Sequence, residues 1–297
     1  MSNYKYKITV FTPTYNRAYM IGTLYQSLLC QTFTDFEWLV VDDGSTDNTE
    51  QLFAEWLQKK ELHSIRYVKQ ENGGKCRAIN RALDLAQGEL FFTVDSDDYL
   101  TEDALEKIVL WEQQLPHDEM YCGVAGNLGT SIGETTNTSF VDGFHEGTLL
   151  DRYNLVDGER AIVLYTDIHK RYKYPEYNGE KFMTEAVAWN RIAHDGYKIR
   201  FYNDIIWIYE YKEDGLTKAG NDLFKRNPYG YALWLKEKSQ FTGESVLARL
   251  KMYYTYVCDL EKMHSNDIIA DSMNISKTLV EFLKIIHRVL YKAKGGK

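Results

Sequence analysis

Three carboxylates fall within four residues at Asp95, Asp97 and Asp98, with Ser96 between them, directly after the apolar run Leu90–Val94. That run is β-prone and preceded by Gly88, as expected of a strand buried on both faces of a mostly parallel sheet. Clustered carboxylates repel one another and gain nothing from packing. At the carboxyl end of a buried strand they stand where open α/β sheets bind ligands. Oxygen ligands with no His or thiolate alongside suit Mg²⁺ or Mn²⁺, usually shared with a phosphate. A polar turn leading into a helix at Thr101-Glu102-Asp103 accounts for the same residues, so the cluster alone decides nothing. Further candidates are Asp43 in Asp42-Asp43-Gly44-Ser45, Lys75 after Asn72-Gly73-Gly74, and Tyr15 in the loop Pro13–Arg17. Each taken singly reads equally as a turn, a cap or a solvated side chain.

The elements around these residues converge on one arrangement. Strands are expected at Tyr6–Thr12, Phe36–Val41, Ile65–Val68 and Leu90–Val94. Between them, apolar residues recur at helical spacing: Ile21, Leu24 and Leu28; Leu52, Phe53, Trp56 and Leu57; Ala78, Ile79, Ala82, Leu83 and Ala86. A fourth helix places Leu105, Ile108 and Val109 inward. Asp47 and Glu50 have the spacing of a capping box, and Gly88 that of a helix C-cap. The alternation β-α-β-α-β-α-β-α means a parallel, doubly wound sheet. Each strand hands over to its helix through a polar or glycine-rich loop, so Tyr15, Asp43, Lys75 and Asp95–Asp98 gather along one sheet edge.

Composition narrows the partners. A net charge of −8 excludes nucleic-acid binding through a broadly basic surface. Cys30, Cys76, Cys122 and Cys258 are far apart, which argues for a reducing compartment and against structural zinc. The start MSNYKYKITV runs into a strand without a signal-peptide hydrophobic region, and no apolar run reaches bilayer length, so the expected location is cytoplasmic. No G-x-G-x-x-G follows the first strand, and Gly74-Lys75 lacks the earlier glycine and following Ser/Thr of a P-loop.

Four motifs, PTYNRA at Pro13–Ala18, VDDGSTDNT at Val41–Thr49, NGGKCRAIN at Asn72–Asn80 and DSDD at Asp95–Asp98, occur in order after successive strands. Together they resemble family 2 glycosyltransferases of the GT-A fold, over roughly the first two thirds of the chain, and in particular bacterial enzymes that build surface polysaccharides. The resemblance implies a nucleotide-sugar donor, usually UDP-linked, and a divalent metal (Mn²⁺ or Mg²⁺) on the DxD motif. By position, Tyr15 matches the aromatic residue against the base, and Thr12 and Pro13 the backbone lining it. Asp43 matches the carboxylate at the base edge, and Lys75 lies in the loop near the nucleotide. Asp95 corresponds to the position near ribose and metal, Ser96 accompanies it, and Asp97 is the metal ligand itself. A rival reading is a metal-dependent nucleotidyltransferase, which calls for a glycine-rich phosphate loop that PTYNRA is not. A non-catalytic nucleotide-sugar-binding protein of the same fold is a third.

From Tyr121 to Asn178 short β-like pieces and glycines suggest a mixed-sheet acceptor segment. A helix then follows Thr184 as N-cap, with Ala186, Trp189, Asn190 and Ala193, ended by Gly196; a strand Lys198–Tyr202 and an apolar run Ile205–Tyr209 come next. Glu185 lies at that helix start, where the macrodipole favours its ionised form. Alone it is an ordinary helix-start carboxylate. The family commonly has Glu-Asp there with an aromatic four positions on, so the resemblance makes Glu185, ahead of Trp189, the catalytic base in place of the usual Asp. The loop at 210–217 is expected to close over the donor by family position.

From Leu223 the chain reads as helical. Its last helix carries the stripe Ile275, Leu279, Phe282, Leu283, Ile286 and Leu290, with Lys277, Lys284, Arg288, Lys292 and Lys294 off it. Such a helix either packs on the protein or lies peripherally on an anionic membrane through residues 276–297. The expected organisation is a catalytic domain at 1–222, split into a nucleotide-binding half at 1–115 and an acceptor half at 116–222, then a helical region at 223–297. The expected function is inverting transfer of a sugar to a saccharide or lipid-linked saccharide acceptor.

Overall fold

The computed structural model describes residues 4–62, 64–116, 120–131, 133–209 and 220–293. The 210–217 loop therefore lies outside the described residues, as does Lys294. Contacts divide the chain into two compact units: Met1–Lys173 with Arg191–Lys212, and Tyr174–Asn190 with Glu213–Lys297.

The first unit is built on a nine-stranded sheet. Strands β1 (Tyr6–Thr14), β2 (Phe36–Asp42), β3 (Ile65–Lys69) and β4 (Gly88–Thr93) lie parallel in the order β3-β2-β1-β4. Helices α1 (Gly22–Leu29), α2 (Thr49–Lys59) and α3 (Lys75–Leu85) make the crossovers. This is the doubly wound half that the alternation requires. Every residue of β2 is buried, as expected of a strand covered on both faces. Its Trp38 packs with Tyr25, Phe53 and Trp56, the Tyr25 and Trp56 rings lying 4.2 Å apart and nearly parallel. Leu57, expected on the same face, is exposed: one position on from Trp56 the helix has already turned about 100° toward solvent.

Two local expectations give way to tertiary structure. The capping box does not form: the N-cap of α2 is Asn48, without a side-chain bond. Asp47 Oδ1 instead accepts from Thr49 N and Oγ1, and Glu50 pairs with Lys69 at 2.7 Å. Gly88 does not end α3, whose C-cap is Ala86. It opens β4, and a Cβ there would come within 2.1 Å of Thr9 N, so glycine is required by close backbone approach.

Beyond β4 the sheet becomes mixed. A two-residue strand β5 (Tyr99–Leu100) precedes α4 (Ala104–Gln113), where Leu105, Ile108 and Val109 are buried. Then come β6 (Tyr121–Gly129), β7 (Phe144–Gly147), β8 (Arg160–Tyr165) and β9 (Lys198–Ile208), with short α5 (Thr166–Lys170) after β8. β8 runs antiparallel to β4 and β6, and β9 pairs parallel to β6 and antiparallel to β5 and β7. The runs Lys198–Tyr202 and Ile205–Tyr209, read separately from sequence, form one strand to Ile208. Register shifts around Asn127 take up the polar residues between them, and Asn127 Nδ2 donates to Asn203 O at 2.8 Å.

The second unit is helical. Beyond the start of α6 (Ala186–His194), it holds α7 (Asn221–Arg226), α8 (Pro228–Phe241), α9 (Val246–Leu260), α10 (Asn266–Met273) and α11 (Lys277–Ala293). Its core is Ala232, Tyr256, Val257, Leu260, Ile269, Ala270, Met273 and Val280. Ser245 and Ser265 cap α9 and α10 through their hydroxyls. Among the described residues no helix is long and apolar enough to cross a membrane.

Candidate active site

The carboxyl ends of β1 to β4 carry the four motifs, and short polar bonds join their loops. Asn16, in left-handed conformation, accepts at Oδ1 from Thr46 N, while its own amide donates to Ser45 Oγ at 2.8 Å. Ser45 N donates to Asp42 Oδ1 at 2.7 Å, and Tyr67 Oη donates to Asp42 Oδ2. The Asp42 carboxylate raises the Tyr67 hydroxyl pKa far above its ordinary value, second only to burial. The loop after β1 is thus fixed to the loop after β2.

Asp43 fixes the next pair. The residue is 5% exposed, and its carboxylate accepts from Gly73 N at 2.8 Å and Gly74 N at 2.7 Å, with Gln70 Nε2 adding a third bond at 2.8 Å. Asn72 Nδ2 donates to Asp43 O, and Gly44 takes positive φ beneath Asn72. A carboxylate accepting several N–H groups keeps acceptor room on only one oxygen, here Oδ2. Asp43 is therefore the anchor of the 72–74 loop as well as a residue of the site edge.

The 72–74 loop delivers Lys75, the first residue of α3 behind the positive-φ Gly74, to the acidic cluster. Lys75 Nζ lies 2.7 Å from Asp95 Oδ1, both groups about one-third exposed. Ser96 is buried and Asp97 half-buried. Asp98 accepts from Trp207 Nε1 of β9 at 2.8 Å. Burial, with the Asp95 and Asp97 charges adding to it, pushes the Asp98 carboxyl up to about 7, against the opposing Trp207 bond and Lys75 charge. Among the described residues no three His, Cys, Asp or Glu side chains form a ready metal cage.

The remaining expected residues are placed as follows. Tyr15 is exposed just past β1. Thr12 is wholly buried, its Oγ1 accepting from Trp38 Nε1 at 3.0 Å, and Pro13 is half-buried beside it. The structure thus brings Asp43, Gly73, Gly74, Lys75 and Asp95 into one bonded chain. Gln70, Tyr67, Asn16 and Trp207 belong to the same polar construction and were not singled out by sequence. A pair of glycines before Lys75 and an Asn in a left-handed turn were the signals available for two of these contacts. A surface cleft of about 560 Å³ lined by Ala18, Tyr19, Asp47, Asn48, Gln51, Leu52 and Glu55 adjoins the first loop. It offers two carboxylates and no cation, and does not suit a diphosphate.

Glu185 belongs to the second unit and is described there by itself. It is half-buried immediately before α6. Its carbonyl accepts from Trp189 N and Tyr174 Oη, each at 3.4 Å, and Thr184 Oγ1 accepts from Ala186 N at 3.3 Å. The threonine therefore supplies the acceptor expected of a helix start.

A mixed sheet with a parallel, doubly wound half, whose loop edge presents an acidic turn beside a glycine-bearing lysine loop, is that of a GT-A protein. Residues 9–185 match the profile described as Glycosyl transferase family 2, and the chain belongs to that family. It is 27% identical over 237 residues to glycosyltransferase GlyG of Streptococcus pneumoniae, covering 73% of this chain and 74% of that protein. It is 37% identical over 107 residues to the putative teichuronic acid biosynthesis glycosyltransferase TuaG of Bacillus subtilis, covering 36% of this chain and 42% of TuaG. Among solved structures, Staphylococcus aureus TarS 1–349 in complex with UDP-GlcNAc superposes with a TM-score of 0.61 at 20% identity, over 94% of this chain and 87% of that one. A mannosyltransferase of Pyrobaculum calidifontis in complex with GDP-Man and Mn²⁺ gives 0.56 at 19% identity, over 97% and 81%. These two likenesses establish the fold.

Proposed function

We propose that this glycosyltransferase uses a nucleotide-sugar donor, UDP-linked, and transfers the sugar with inversion to a saccharide or lipid-linked saccharide of a bacterial surface polysaccharide. The single observation that carries the donor reading is the bonded chain Asp43–Gly73/Gly74–Lys75–Asp95. It sets a lysine and an acidic turn side by side at the carboxyl edge of the sheet, where a nucleotide diphosphate is bound in open α/β folds. The UDP-GlcNAc bound by TarS and the pathway in the name of TuaG support the donor and acceptor classes.

In this reading Tyr15 lies against the base, with Thr12 and Pro13 lining it and Asp43 at its edge. Lys75, Asp95 and Ser96 lie by the ribose and phosphates. The acidic turn fits a divalent cation: its donors are all oxygens, and among the described residues it offers one or two carboxylates rather than a full cage, as when substrate phosphates complete the coordination of Mg²⁺ or Mn²⁺. Asp97, with Asp95, would hold it, and the ion would supply charge neutralisation for the departing diphosphate. Lys75 contributes a second positive charge to that same oxygen-rich region. Glu185 is assigned as the base that takes the proton of the acceptor hydroxyl as it attacks the anomeric carbon. One in-line displacement inverts the configuration and needs no second nucleophile.

Calorimetric titration of a panel of UDP- and GDP-sugars, with and without Mn²⁺, tests the donor assignment. A UDP-sugar that binds more tightly with Mn²⁺ in the native chain, and shows no Mn²⁺ enhancement in Asp97→Asn, supports it. Equal binding in both proteins with and without metal would remove the metal role, and no nucleotide-sugar binding at all would remove the donor.

A further inference from the structure

Helix α11 leaves part of its apolar surface outside the helical core. Val280 is fully buried and Leu283 packs beside it in the helical core, whereas Phe282, Ile285 and Val289 are 57–61% exposed. These three lie within about 60° of one another around the helix axis, forming one apolar ridge. Glu281 and Arg288, on one flank, are exposed. Lys277 and Lys284 continue that flank, Lys284 bonding Asn266 and Lys277 pairing with Asp267. The unit repeats the feature on α9, where Val246, Leu247 and Leu250 are exposed around Arg249. Of the sixteen large apolar side chains exposed among the described residues, eight fall in Val246–Val289. That concentration is not the scatter of single exposed residues found on any surface.

Charge selects the occupant. From Lys277 to Lys297 the sequence has six Lys and Arg against one acid, Glu281, in a chain of net charge −8. Two copies of the chain meeting through this helix would bring two positive segments together, which is opposed by several kcal/mol when like charges are juxtaposed. An anionic bilayer attracts each such cation by about 1 kcal/mol and takes up the apolar ridge at its acyl boundary.

We propose that α11 is a membrane-surface helix, inserting Phe282, Ile285 and Val289 into the interface of an anionic lipid bilayer with its cations at headgroup level. The inference is independent of the sugar-transfer reading, because it is read without donor or acceptor. The full chain is floated with vesicles of phosphatidylcholine alone, or with roughly 30% phosphatidylglycerol added. At low salt, binding to the anionic vesicles is expected to be at least about tenfold tighter and to be released by roughly 0.5 M NaCl. Phe282→Asp with Ile285→Asp is expected to weaken binding by about tenfold or more, and Arg288→Glu by a smaller factor. All these positions are exposed, and an unchanged thermal midpoint verifies the fold of each variant. Equal binding to both vesicle types, or undiminished binding by the double variant, overturns the proposal. So does a dimer in size-exclusion light scattering that the same double variant converts to a monomer.

Discussion

The two units of this chain use their side chains in opposite ways. In the sheet unit, polar residues at the ends of β1 and β2 are directed inward onto loop backbone: Asp42 onto Ser45, Asn16 onto Thr46, Asp43 onto Gly73 and Gly74. In the helical unit, apolar residues are directed outward on α9 and α11 while a smaller core of Tyr256, Val257, Leu260 and Val280 holds the helices together. Polar cross-bonds of the first kind fix geometry to a few tenths of an ångström, as a reaction demands. Exposed apolar ridges fix nothing and are suited to a deformable partner.

The comparison breaks most visibly at the site. Glu185→Gln is expected to lower turnover by at least about a thousandfold while leaving donor affinity nearly unchanged, since an amide cannot take the proton. A pre-steady-state and steady-state comparison with a fixed donor checks it. Retained turnover would move the base elsewhere. Next in size is Asp43→Ala. It leaves the Gly73 and Gly74 amides and Gln70 without their charged acceptor at a buried position, at a cost of about 3 kcal/mol. Because Lys75 follows directly, donor affinity should fall with stability, measured by denaturant titration and calorimetry on the same sample. Loss of stability with intact donor binding would show that the loop's position is set by other contacts.

A pH dependence is built into the first unit as well. His169 of α5 is buried edge-on against Phe91, and burial depresses its pKa from 6.5 to about 4. The unfolded chain therefore binds a proton at higher pH than the folded one. The stability tied to neutral His169 is present in full above pH 6.5 and is lost as pH falls toward 4. Across that window the loss amounts to roughly 3 kcal/mol, each pH unit contributing about 1.4 kcal/mol. His169→Leu should flatten the stability profile across that window in urea titrations, whatever it does to absolute stability. A profile as steep as the native one would assign the slope to carboxylates.

What was legible in the sequence follows the same division. The β-α alternation and the gathering of Tyr15, Asp43, Lys75 and Asp95 at one edge could be read because strand burial and turn chemistry are local and leave period and composition signals. That Asp43 would turn inward to hold Gly73 and Gly74 could not, because it depends on two loops thirty residues apart meeting in space. Gly88 misled for a related reason: it terminates a helical pattern in sequence, but what demands a glycine is Thr9 on the neighbouring strand. Trp207 reaches Asp98 across more than a hundred residues and left no local sign.

Helix α11 gives the finest test of that distinction. Its sequence stripe runs through Phe282 and Leu283 alike, as an amphipathic pattern must when the burying partner is unknown. The structure divides them: Val280 and Leu283 face the core, and Phe282 does not. Val280→Ala should destabilise the protein by about 2 kcal/mol, through lost burial and a residual cavity. Phe282→Ala, which removes a far larger side chain, should change stability by no more than about 0.5 kcal/mol, since most of that side chain is in solvent and Ala favours the helix. Urea melts of the two single variants in vesicle-free buffer separate the cases. If Phe282→Ala proved the more costly, the ridge would be a packing surface of the folded chain, and the opposition between inward polar and outward apolar residues would fail at that helix.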